Sequence, residues 1–415
     1  MGNEQISLFN AAAACEDLYA VQLETLDISD PKRFQDGTVW SYFERLRREE
    51  PVHYCPDSPY GPYWSVTRYH DIMAVDTNHT VFSSQGGITL LEPQEELRTP
   101  MFIAMDQPKH AEQRKAVQGI VSPESLAELG RLIRERVVDI IESLPVNETF
   151  DWVERVSIEL TTQMLATLFG FPIEDRRLLS HWSDVATMLP QTPEQWDFRE
   201  AEMQNCLAYF SRLWKERAQL PRAHDLISMM AHDPATQDMP LREFLGNLIL
   251  LIVGGNDTTR NTISASLHLL NKNPDEYEKL RDDPSLIPGM AAEVIRYQTP
   301  LAYMRRRALV DFELGGKTIR AGDKVAMWYI SGNRDEAMFE RPNSFWIERP
   351  NVRRHLAFGF GIHRCMGKGL AELQLKILWE ELLTRHPRIE VVAPAVRVAS
   401  SFVHGIASLP VNIPA

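Results

Sequence analysis

Cys365 stands in the run His355-Leu356-Ala357-Phe358-Gly359-Phe360-Gly361-Ile362-His363-Arg364-Cys365-Met366-Gly367. Glycines at 359, 361 and 367 let backbone lie close to a flat group and aim amide N–H groups at sulfur. Helical spacing resumes at Lys368-Gly369-Leu370-Ala371-Glu372-Leu373-Gln374-Leu375, so the cysteine precedes a helix N-terminus whose dipole stabilises negative charge. The chemistry this favours is a thiolate that ligates a metal. Zinc fits poorly, because a structural site takes about four N or S ligands and only His363 and Cys365 lie together here. A cysteine protease would leave the glycines unexplained.

A second chemical cluster ends the run Leu245-Gly246-Asn247-Leu248-Ile249-Leu250-Leu251-Ile252-Val253-Gly254-Gly255-Asn256-Asp257-Thr258-Thr259-Arg260. Leu251, Gly255, Thr258 and Thr262 follow helical spacing and share one face. Each glycine weakens a helix by about 1 kcal/mol relative to alanine, which suits a groove left open for a small molecule. Packing alone would also explain glycines, but not an acid beside an alcohol in mid-helix. Asp257 and Thr258, both expected to face the site of the cysteine sulfur, can together hold an oxygen species and feed it protons.

The elements that must position these groups read as one large, mainly helical domain over 1–415, with small sheets and neither a linker nor an internal repeat. Residues 1–37 form an N-terminal extension. Residues 38–50 have amphipathic helical spacing and 63–69 alternate as a strand. A Gly- and Pro-punctuated stretch at about 83–104 precedes helical patterns from 108 to 300. Strands are expected at 309–329, with a hairpin turn at Leu314-Gly315-Gly316-Lys317, then a helix over 365–385 and short strands in 388–414. The regions 38–82, 305–330 and 388–415 are thus β-rich, and 108–300 with 365–385 make the helical core.

Hydrophobic residues at 44% and charged residues at 24% describe a chain able to bury a sizeable core. Four scattered cysteines, Cys15, Cys55, Cys206 and Cys365, fit a reducing cytoplasm better than a disulfide framework. No apolar run approaches a membrane span, so no membrane anchor is expected. The net charge of -13 argues against nucleic acid as a partner.

Phe358, Gly361, the basic His363 and Gly367 around Cys365 resemble the haem-binding signature of the cytochrome P-450 superfamily, and Asp257-Thr258 resemble its acid-alcohol pair. The order of motifs matches over nearly the whole chain, which implies the P-450 fold, described as a triangular prism. Gly254 stands where many members carry alanine. The resemblance implies a haem-thiolate monooxygenase that binds haem b with Cys365 on iron, uses O2, and draws electrons from an acidic ferredoxin and its NAD(P)H-dependent reductase. It gives His110, Arg114 and Arg306 to the haem propionates, with Arg305 and Arg307 as alternatives to Arg306, and His363 and Arg364 are placed to meet them too. Phe358, Gly255 and Gly367 belong to the same bed. Glu293 and Arg296 would join Arg349, rather than Arg341, in a buried structural network. Arg114, Lys115, Arg353, Arg354, Arg364 and Lys368 would form a basic dock for the ferredoxin. A monomer is expected.

Met101 to Asp106, Leu250 to Asn261 and Gln298 to Arg306 are similar to bacterial P-450s that hydroxylate the terminal carbon of medium-chain alkanes and fatty acids. Candidate substrate-wall residues are Ile88, Leu90, Leu91, Leu251, Leu301, Ala302, Met304, Phe402 and Val403, all apolar. Two rival readings are a peroxide-driven peroxygenase, which usually lacks the acid-alcohol pair, and a non-enzymatic haem sensor, which leaves that pair without a purpose.

Overall fold

The computed structural model describes residues 18, 20–92, 98–188, 190 and 192–415; most of the N-terminal extension's first half, Cys15 included, lies outside them. The central element is the helix Leu241–Lys272, whose 32 residues span about 48 Å at 1.5 Å per residue. It is apolar for most of its circumference because it is enclosed. Helices Glu159–Phe169, Arg177–Thr187 and Ile287–Gln298 pack against it, and Pro123–Glu142 packs against Lys368–Arg385. Local chemistry sets the ends: Ser122 caps Pro123–Glu142 by accepting from the Ser125 amide, with proline at the first position. One apolar cluster, holding Trp152, Phe169, Leu248, Ile252, Leu378 and Trp379, ties the helices together.

A five-stranded sheet flanks the helices in the order Val52–Cys55, Tyr63–Val66, Lys324–Met327, Met304–Ala308, Phe82–Ser83. Tyr63–Val66 runs parallel to Lys324–Met327, with Trp64 opposite Val325, and the other pairs are antiparallel. The expected hairpin forms between Phe312–Leu314 and Lys317–Ile319, with Gly315 at φ 57° and Gly316 at φ 76° supplying the left-handed turn.

Three details differ from the sequence pattern. The strand begun at residue 63 stops at Val66, and Tyr69–Thr77 is a helix, so 38–82 holds more helix than strand. Within the helical stretch, Thr149–Asp151 pairs antiparallel with the C-terminal strand Pro410–Asn412. The segment between 98 and 105 is mostly irregular, yet it is fixed to the central helix: Asn247 Oδ1 accepts from the Phe102 amide at 2.9 Å, and Asn247 Nδ2 donates to Gln113 at 3.1 Å.

Candidate active site

Cys365, Thr258 and Phe358 meet on the wall of one cavity of about 1060 Å³. The loop that carries the cysteine is shaped by Gly361, whose φ of 65° and whose clearance from the Asp76 carbonyl oxygen, 2.6 Å from where a Cβ would stand, admit only glycine. The Cys365 amide donates to the Phe358 carbonyl at 2.8 Å, closing the loop. Cys365 is exposed to the cavity rather than to the outer surface. Burial therefore pushes its thiol up, against the Gly367 and Lys368 amides and the charges of Arg114 and Arg364, which pull it down. The amides aim at sulfur as the sequence suggests, and burial opposes them.

At one side of the cavity, positive and orphaned groups gather. His110 is buried, and neither of its ring nitrogens has a hydrogen-bond partner among the described residues; His363 Nδ1 has none either. His363 Nε2 lies 2.9 Å from Ser84 Oγ, and the His110 and His363 rings meet with centroids 4.1 Å apart and planes tilted by 47°. Burial, with Arg114 and Arg306 nearby, lowers His110 to about 4. Burial, with Arg306 and His110, lowers His363 to about 2. Arg114 donates to the Arg364 carbonyl at 2.6 Å and lines the cavity. Of the three successive arginines, Arg306 lines the cavity and pairs with Asp76 at 2.9 Å, while Arg305 and Arg307 turn to Glu92. Neutral imidazoles short of partners beside arginines suit a ligand that carries carboxylates, and the flat glycine-bordered space beside the sulfur suits a macrocycle. The residues fit a haem.

The central helix divides the acid-alcohol pair. Thr258 lines the cavity and donates to the Gly254 carbonyl at 2.6 Å. Asp257 does not face the cavity, contrary to the expectation that both would, because neighbouring helix positions point about 100° apart. It is buried against Arg177–Thr187, accepting from Ser183 at 3.1 Å, Asn256 at 3.0 Å and Arg260 at 3.0 Å. Arg260 also pairs at 2.8 Å with the exposed Asp184. Burial raises the Asp257 pKa, with Arg260 opposing. The glycines differ in role: a Cβ on Gly255 would stand 2.7 Å from Leu165, whereas one on Gly254 would meet nothing within 4 Å.

Glu293, Arg296 and Arg349 are fully enclosed. Both arginines reach the one carboxylate, at 2.7 and 3.0 Å, and spend their remaining donors on the carbonyls of Asn333, Pro342, Arg341 and Ser344. Arg341 contributes only a carbonyl; its own guanidinium stacks on Trp346 at 4.5 Å.

Among the candidate wall residues, Ile88, Leu91, Leu251, Leu301, Met304 and Phe402 line the cavity. Leu90, Ala302 and Val403 do not, and this corrects the sequence reading. These three turn into the protein because of the surfaces they pack against: Leu90 and Ala302 join a separate core, and the buried Val403 bridges Leu301. Sequence reasoning missed Leu165, Leu168, Met203 and Leu207, which line the cavity from distant helices. It also missed Asp76, which accepts from Arg306, Tyr329 and the Phe360 amide. No local pattern marks that residue.

A family model described as Cytochrome P450 matches residues 114–387. Linalool 8-monooxygenase of Pseudomonas putida is 36% identical, over 94% of this chain and 99% of its own length. The methyl-branched lipid omega-hydroxylase of Mycobacterium tuberculosis is 30% identical, over 89% of this chain and 90% of its own. Two solved structures are 49% identical: cytochrome P450-153 from Novosphingobium aromaticivorans, with TM-score 0.89, covering 93% of this chain and 98% of that one, and CYP153D17 from Sphingomonas sp., with TM-score 0.90, covering 94% and 99%.

Proposed function

The chain belongs to the cytochrome P450 family of monooxygenases, and we propose that it inserts one atom of O2 at the terminal carbon of medium-chain fatty acids or n-alkanes. Membership brings haem iron, dioxygen and a redox partner. The terminal reading is carried by the cavity, where Thr258 and Cys365 share an enclosure with Ile88, Leu91, Leu251, Leu301, Met304 and Phe402. Its support among relatives is the omega-hydroxylase activity named for the mycobacterial protein. A terminal methyl C–H bond is stronger than the methylene bonds beside it, so position must overrule bond strength. Apolar walls do this by burying the chain at about 0.8 kcal/mol per methylene, leaving its end as the part that reaches the reacting centre.

Bound haem, which we take to be haem b, supplies an activated oxygen able to attack an unactivated C–H bond. Cys365 would hold its iron through sulfur. Arg114, Arg306, His110 and His363 would hold its carboxylates, with Phe358, Gly255 and Gly367 bordering its bed. Thr258 gives its own proton to Gly254 and so offers lone pairs to a proton donor in the cavity. Asp257, whose carboxyl takes up a proton more readily because it is buried, passes protons inward from the side of the exposed Asp184, while Arg260 bridges the two carboxylates and keeps its own proton. Glu293, Arg296 and Arg349 lock the core beneath the cysteine loop. The whole chain acts as one domain and one monomer. An acidic ferredoxin docks on exposed Lys115, Arg353, Arg354 and Arg364, drawn by positive charge on an otherwise acidic protein. Among the described residues no helix is long and apolar enough to cross a membrane; the few scattered cysteines support a cytoplasmic enzyme.

The test is turnover of dodecanoate and octane by the holoenzyme with ferredoxin, reductase and NAD(P)H. Terminal alcohols are expected. Exclusively subterminal alcohols would defeat the chain-end reading, product only with added peroxide would make the protein a peroxygenase, and no product at all would leave a haem sensor.

A further inference from the structure

The two proposed substrate classes differ at their far end: a fatty acid carries a carboxylate and an alkane carries nothing. Trp196, Arg199, Glu200, Met203, Gln204 and Leu207, all on the helix Pro193–Ala218, line the cavity. Their spacing of three and four puts them on one helix face. On this face Trp196, Arg199 and Leu207 are half-buried, Met203 is buried, and Glu200 and Gln204 are exposed; Arg199 to Leu207 spans about 12 Å at 1.5 Å per residue. It sets a cation beside the apolar Trp196, Met203 and Leu207, a mixture that suits a lipid with a charged head.

Arg199 differs from Lys109, Arg306 and Arg114 on this wall, while Arg242 is exposed at the start of the central helix and serves as its control. Lys109 is paired with Glu243 at 2.6 Å and Arg306 with Asp76 at 2.9 Å, and Arg114 sits beside Cys365 on the carbonyl of Arg364. Arg199 forms no ion pair with a carboxylate of the described residues. Its Nη2 donates to the Ala186 carbonyl at 3.3 Å, and the guanidinium lies 5.9 Å from the Trp196 ring. The neighbouring Glu200 accepts from Gln204 at 2.8 Å, and Asp197 is exposed. Burial holds the Arg199 pKa below the ordinary arginine value, with Glu200 opposing. This is a partly desolvated fork of donors, most of them uncommitted, facing an apolar cavity.

We infer that Arg199 anchors the carboxylate of a fatty acid, so that the enzyme takes the acid head outward and presents the methyl end toward Thr258 and Cys365. The inference rests on the chain-end hydroxylase reading above.

Spin-state titration of the holoenzyme with dodecanoate and with its methyl ester, the same chain without the charge, separates the two ideas. Arg199→Gln should raise the dodecanoate Kd about tenfold more than the ester Kd, as loss of a charge-assisted pair predicts. Arg199→Lys should restore part of the difference. Equal weakening of both ligands, no weakening of either, or a selective loss in Arg242→Gln instead would each remove Arg199 from this role. A wild-type protein that binds both probes but hydroxylates them only at subterminal carbons defeats the chain-end reading while leaving the anchor intact.

Discussion

Thr258 donates its hydroxyl proton to the Gly254 carbonyl at 2.6 Å, and the same oxygen lies on the cavity wall. Replacing it by alanine removes an acceptor without emptying the buried core, so the protein should fold, load haem and still consume NAD(P)H. Product formed per NAD(P)H should fall and hydrogen peroxide should rise; unchanged coupling would exclude the role. Asp257 acts at a distance, through protons rather than contact. Asp257→Asn keeps the shape but cannot take up or release a proton, and should slow turnover on the order of a hundredfold, with a larger solvent deuterium isotope effect. Glu293 sits at the other extreme. Its carboxylate is the counter-charge for both Arg296 and Arg349, and all three are buried. Glu293→Gln leaves two enclosed cations facing a neutral amide and should cost about 3–5 kcal/mol, measurable as lost soluble haem-loaded protein or a lowered urea midpoint. A variant as stable as wild type would show that the carbonyls around the two arginines suffice.

The central helix carries glycines of opposite kinds. A Cβ on Gly246 would stand 1.9 Å from the Pro100 carbonyl oxygen, which is backbone and cannot swing aside. Gly246→Ala should therefore push the 98–105 segment off the helix, destabilise the protein by about 2 kcal/mol or more, and loosen substrate binding. Gly254→Ala meets open space and gains helix propensity, so stability should hold or rise by up to about 1 kcal/mol. Thermal melts of the two variants side by side check the contrast; similar losses would contradict it. The helix, its glycines and the acid-alcohol pair were legible in the sequence because helical spacing is local. The direction of Asp257 was missed, although adjacent helix positions about 100° apart cannot share a face. Leu90, Ala302 and Val403 went astray for a different reason: in irregular extended chain, composition marks a segment as apolar but the partner surface decides which alternate residue it receives. Leu165, Leu168, Met203 and Leu207 reach the cavity from helices far away in sequence, and no local pattern records that.

Pairing across the whole molecule is what the sequence holds least openly. Tyr63–Val66 lies beside Lys324–Met327, and Thr149–Asp151 beside Pro410–Asn412, so each sheet joins strands that are hundreds of residues apart in the chain. The chain's last strands are held in part by buried imidazoles. His404 Nδ1 lies 2.6 Å from the Gln298 carbonyl, and its Nε2 lies 3.4 Å from Arg397 on the strand Val396–Arg397. His268, on the central helix, is buried near Lys272 and the same Arg397. Burial first, and these cations second, hold both histidines at about 3, below the ordinary value of 6.5. In the unfolded chain they titrate near 6.5. Between those values the unfolded chain binds more protons than the folded one, so the stability from keeping them neutral is complete above about pH 6.5 and is lost as pH falls toward about 3. Each histidine can contribute at most about 1.4 kcal/mol per pH unit in that window. The holoenzyme's Tm should therefore be level from pH 8 to 7 and decline progressively from pH 6.5 to 5. His268→Gln and His404→Gln should each shallow the decline whatever they do to stability at pH 8. Slopes identical to wild type in both variants would assign the acid sensitivity to other groups, because a protonated imidazole beside Arg397 is the repulsion that the substitutions remove.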